Sequence, residues 1–122
     1  MIDQKRQDMM LRTKRFALAV IRLYSSLPRS TLAQVLGKQV LCSGTSVGAH
    51  YREACRAKSN ADFVSKIEGG LQELDETDYW LGLLRDADVA KTDQIEPLAA
   101  ETNELISIFV SVARAVKSSR DE

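Results

Sequence analysis

Four stretches of this chain repeat apolar residues every three or four positions, and three short polar breaks separate them. No other feature restricts the fold as strongly, because that spacing puts an apolar stripe along an α-helix and leaves no strand-like alternation. Met9, Thr13, Phe16, Val20, Leu23 and Leu27 form the first stripe, which Pro28 ends. Ser30 or Thr31 can cap a second helix, with Leu32, Leu36, Val40, Ser43, Val47, Tyr51 and Ala54 as its stripe. Ser59 or Asn60 can cap a third, buried through Phe63, Ile67, Leu71, Leu74, Leu81 and Leu84, with Gly69 and Gly70 inside it. Asp93 and Glu96 resemble a capping box ahead of a fourth, marked by Leu98, Thr102, Leu105, Phe109, Val112 and Val116.

The predicted helices span residues 3–26, 31–57, 60–87 and 93–118. Long helices joined by short connections lie antiparallel to their neighbours. The expected fold class is therefore all-α, an antiparallel up-down-up-down four-helix bundle in which residues 1–122 form a single domain.

Charge adds a division that the total hides. Lys and Arg exactly balance Asp and Glu over the whole chain, yet residues 1–58 hold 11 basic and 3 acidic side chains while residues 59–122 hold 6 and 14. Such a split suits a basic partner-binding half, or two halves of one fold or of neighbouring subunits that attract each other; with no net basic charge the second reading is simpler. The longest apolar runs fall far short of the roughly 20 residues that cross a bilayer, and residues 1–15 are too charged for a secretory signal, so no membrane role and a cytoplasmic location are expected. Cys42 and Cys55 read as two free thiols; on one helix they would sit roughly 20 Å apart.

The segment Leu41 to Ala54 gathers the side chains that most invite a role. Gly44 and Gly48, one turn apart, mark a close-packing or interface row with Gly37, Leu41 and Cys55. His50 and Glu53 share a helix face, as do Glu73 and Glu76 on the third helix, and with Arg52 they could form a charge-assisted polar network between helices. A metal-binding bundle would present Glu-x-x-His twice, whereas this chain has one histidine in the opposite order, so no metal or other cofactor is expected. No nucleophile with an adjacent base, no phosphate-cradling glycine loop and no Cys-x-x-Cys is present. The chain reads as non-enzymatic, with no small-molecule substrate identified. Arg12, Arg15 and Arg22 lie along helix one as possible nucleic-acid contacts, although aromatic residues are not interleaved with them. Trp80 falls beside the apolar stripe of helix three, where it suits either the core edge or a protomer interface.

The run Ser43-Gly-Thr-Ser-Val-Gly-Ala-His-Tyr-Arg-Glu-Ala54, with Ala57-Lys-Ser59, Ala61-Asp-Phe-Val-Ser-Lys-Ile67, Leu71-Gln-Glu-Leu-Asp-Glu-Thr77 and Tyr79-Trp-Leu81, resembles the 23S-rRNA intervening-sequence four-helix-bundle protein family. The likeness is specific over residues 36–86 and generic outside them. It implies a bacterial cytosolic bundle that assembles as a homopentameric ring, with no established enzymatic activity. A related group, the accessory variability determinant proteins of diversity-generating retroelements, resembles this fold and pentamer and turns a basic surface to nucleic acid; the zero net charge here weakens that analogy. Family members often carry Arg where this chain has Cys42, and Asn where it has His50, so a site built on that Arg does not carry over. The expected role is that of a homo-oligomeric scaffold or adaptor, with nucleic-acid binding as the alternative.

Overall fold

The computed structural model describes residues 4–121, with side chains through residue 119. The chain forms α1 (Gln4–Ser26), α2 (Thr31–Cys55), α3 (Asn60–Asp86) and α4 (Thr92–Asp121). Position 3, placed in the first predicted helix, lies outside the described residues.

Side-chain chemistry sets each helix start. Ser30 accepts the Ala33 N–H at 3.2 Å and Ser59 accepts the Asp62 N–H at 3.0 Å, which resolves both pairs of candidate caps. The fourth helix departs from expectation. Asp93 and Glu96 do not form a capping box; Gln94 reaches back to the Lys91 N–H at 3.2 Å, and Glu96 turns to Arg85 of α3 at 3.2 Å. The helix begins at Thr92, so Gln94 rather than Glu96 occupies the third helical position, from which a side chain can reach back to the cap residue. Helix α3 ends when Asp88 turns left-handed at φ 58°. Val89 N–H then bonds Leu84 O at 2.9 Å and Asp88 N–H bonds Arg85 O at 3.1 Å, the paired bonds of a Schellman stop.

The helices run antiparallel around one core. Descending pairs show the register: Gly37 with Tyr24, Gly44 with Val20 and Gly48 with Thr13 across α1/α2; Ser43 with Thr77 across α2/α3; Glu68 with Lys117 and Arg85 with Glu96 across α3/α4. Helix α2 packs most extensively, against α3, and α1 meets α4 over the shortest stretch, while the diagonal helices keep their backbones apart and meet through side chains, Tyr51 of α2 with Phe109 of α4 at 5.8 Å between ring centroids and Arg6 of α1 over the Phe63 ring of α3 at 5.2 Å. Val20, Val47, Ile67, Leu74, Leu81, Leu84, Ile95 and Leu105 are fully buried. One stripe residue was misplaced by the periodicity: Leu32 is 52% exposed and Ala33 is buried in its stead, because Ala33 lies on the seven-residue row of Val40, Val47 and Ala54 and Leu32 falls to its flank.

The adjacent glycines of α3 receive one ring from each side. A Cβ at Gly69 would lie 3.0 Å from His50 Nδ1 of α2, and one at Gly70 would lie 2.7 Å from Phe109 Cε2 of α4. Two glycines cost about 1 kcal/mol each in helix propensity, a loss offset by the approach of both neighbouring helices.

Candidate functional site

The α2 glycine row faces α1 of the same chain. A Cβ at Gly44 would stand 2.7 Å from Val20 Cγ2, and at Gly48 it would stand 3.2 Å from Thr13 Oγ1. The close contact at these two positions is thus internal to the bundle.

The polar residues of α2 and α3 sort into two groups. His50 lies over Gly69, and its Nδ1 is buried without a hydrogen-bond partner among the described residues. Glu73 stands nearby, and burial raises its pKa, as does the charge of Glu76; His50 and the Ser46 hydroxyl pull in the other direction. Glu53 pairs with Lys66 of α3 at 3.5 Å instead of with Arg52. A step of 100° per residue turns Arg52 toward a different flank, where it is exposed and has no ion pair among the described residues. Lys66 was the partner that sequence reasoning missed, although it lies on the same row of α3 as Gly69 and Glu73. Cys42 is exposed and free, with its carbonyl accepting a 2.7 Å hydrogen bond from Ser46. Thr77, skipped in the predicted stripe, is fully buried and donates to Glu73 O, and its hydroxyl meets Ser43 Oγ at 2.8 Å. Its position three after Leu74 and four before Leu81 was the available signal. Among the described residues, no group of three or more His, Cys, Asp and Glu side chains could hold a metal ion.

The three arginines of helix one separate. Arg12 makes a two-pronged contact with Glu101 of α4, Nε and Nη2 each at 2.8 Å from a carboxylate oxygen, and reaches Glu104 at 3.0 Å. Both hydrogen-bonded carboxylates hold its guanidinium more firmly protonated. The bridge crosses the least-packed seam of the bundle. A cleft of about 330 Å³ beside Met9, Phe109 and Val112 lies on one side of it, and one of about 200 Å³ beside Phe16, Pro97 and Leu98 on the other. Arg15 and Arg22 are exposed and make no ion pair among the described residues. Trp80 is half-buried at the core edge, its ring 5.0 Å from that of the exposed Tyr79 in an edge-on arrangement.

Four antiparallel helices, each with its backbone packed on two neighbours, define an all-α up-and-down bundle protein. No helix among the described residues is long and apolar enough to cross a membrane. Residues 5–111 match the model of the 23S rRNA-intervening sequence protein family, and the chain belongs to that family. It is similar to the crystal structure of a protein of unknown function from the S23 ribosomal protein family of Bacteroides thetaiotaomicron, with 34% identity and a TM-score of 0.84 over 91% of this chain and 99% of that one. No curated protein matches the chain.

Proposed function

We propose that this protein is a non-enzymatic homo-oligomeric scaffold or adaptor, with five protomers the assembly implied by the family resemblance. The observation that carries the reading is the division of charge between the α1/α2 half and the α3/α4 half, together with large apolar side chains exposed on α1 and α2 and the exposed Tyr79 on α3. One bundle neutralises little of that division across its own seams: Arg12 is matched to Glu101 and Glu104, but Lys14, Arg15 and Arg22 point outward without ion pairs among the described residues. Subunit association would supply the missing counter-charges and cover the apolar groups. Light scattering of the purified chain at low salt tests this. The expected mass is about 68 kDa, five times the 13.6 kDa chain, and a single-chain mass excludes the reading.

The same unpaired Arg15 and Arg22 support a second reading, a nucleic-acid-binding accessory protein. Arg12 contributes less to it, being engaged with two carboxylates of its own chain.

A further inference from the structure

Among the described residues, the large apolar side chains left in solvent are Leu11, Leu18 and Ile21 on α1, Leu32 and Val35 on α2, and Tyr79 on α3; those of α1 and α3 stand among charges of opposite sign. On α1, Leu11, Leu18 and Ile21 are 40–46% exposed, on the side turned away from Phe16, Val20 and Leu23. The helical neighbours of Leu18 three and four residues away are Lys14, Arg15, Ile21 and Arg22. The three cations are exposed and form no ion pair among the described residues. On α3, Tyr79 is the most exposed large apolar residue, at 61%, and its corresponding neighbours include Asp75, Glu76 and Leu83. Asp75 and Glu76 are likewise exposed and outside any ion pair among the described residues. The charge of Glu76 raises the proton affinity of Glu73, as an uncompensated neighbour would.

Placement makes the two patches useful to each other only between molecules. Helices α1 and α3 are diagonal, each packed on α2 and α4, so their outward faces point away from the bundle axis in opposing directions. A chain cannot bring its own patches together. Two copies can.

We infer that the basic apolar stripe of α1 centred on Leu18 docks on the acidic aromatic patch of α3 centred on Tyr79 in a second copy of this chain. The inference rests on the proposed self-association and names the surfaces that perform it. Leu18 and Ile21 lie against the Tyr79 ring and Leu83, while Lys14, Arg15 and Arg22 face Asp75 and Glu76 around the rim. Because the two patches differ, the contact is heterologous: it closes into a ring if the rotation between copies permits and otherwise extends as an open chain.

Charge reversal of the full chain tests this. Arg15→Glu with Arg22→Glu makes both patches acidic, and Asp75→Lys with Glu76→Lys makes both basic. Each double variant is expected to show a single-chain mass in light scattering, with an unchanged helical circular dichroism spectrum. An equimolar mixture is expected to recover a larger species containing both, because every contact between the two variants again joins opposite charges; a ring of five cannot alternate them throughout, so the recovered species is open or even-numbered. Should a charge-reversed variant lose its helical spectrum, Leu18→Asn and Tyr79→Asn replace the pair; each is expected to dissociate the assembly. A wild-type oligomer whose variants keep its mass overturns this inference and leaves self-association standing. A monomeric wild type overturns both. If the Arg15→Glu, Arg22→Glu variant keeps the wild-type mass but loses a gel shift with RNA or DNA, the α1 patch serves nucleic acid and the docking surface is wrong.

Discussion

At the scale of single residues, Val20 decides what position 44 can hold. The valine is fully buried, with Cγ2 only 2.7 Å from an added Cβ at Gly44, so a methyl group there forces apart α1 and α2. Overpacking costs about 1–3 kcal/mol, against which alanine's better helix propensity returns ~1 kcal/mol. Gly44→Ala is expected to lower the urea midpoint, and Gly48→Ala, whose contact is the looser 3.2 Å to Thr13, to lower it less; the reverse order would contradict this packing. Glu73 makes a pH prediction. Burial raises its pKa above the ordinary 4.5, so the folded chain holds that proton more tightly than the unfolded one. Stability contributed by this group is full below the unfolded pKa and falls as pH rises through the folded value. Glu73→Gln should therefore raise Tm relative to wild type near pH 7 and lose that advantage near pH 4; equal differences at both pH values would count against a half-buried carboxyl with a raised pKa. The glycine row was legible because its seven-residue and four-residue spacings name a face. Its partner was not, since periodicity says that a neighbour approaches and not which helix supplies it. Among the described residues Arg52 makes no ion pair with the polar network for a related reason: it points 100° away from Glu53, and only the neighbouring helix could supply Lys66 to that carboxylate.

At the scale of elements, breaks and caps were readable wherever one side chain determines the outcome, as at Pro28, Ser30 and Ser59. The start of α4 was harder, because Asp93, Gln94 and Glu96 all suit a first turn and the true phase depends on where the Asp88 turn releases the chain. Arg12 shows the same limit across elements. Its charge was evident, but its commitment to Glu101 and Glu104 follows from α1 and α4 closing the ring of helices. A two-pronged pair that keeps about a third of each side chain exposed is worth on the order of 1 kcal/mol. A double-mutant cycle with Arg12→Ala and Glu101→Ala should return a coupling of that size in chemical denaturation, reduced at high salt. Zero coupling would show that the α1/α4 seam is held by its apolar contacts alone.

At the scale of the whole molecule, amphipathic periodicity and three short connections were enough to specify an antiparallel four-helix bundle, because few other arrangements bury four such stripes. Function was less legible. No reactive constellation stands out in the residues, and a surface becomes meaningful only when folding sets its neighbours. The charge division is the exception: visible as a count along the chain, it becomes in three dimensions a basic outward face on α1 and an acidic one on the diagonal α3. The central claim, that this division holds copies of the chain together, is tested most directly by light-scattering mass across a salt series. Screening shortens the reach of exposed charges from roughly 10 Å at 0.1 M to 3 Å at 1 M. The account predicts a multimer at low salt whose mass falls toward the single chain as salt rises. A mass equal to one chain at low salt, or a multimer indifferent to salt, would contradict it.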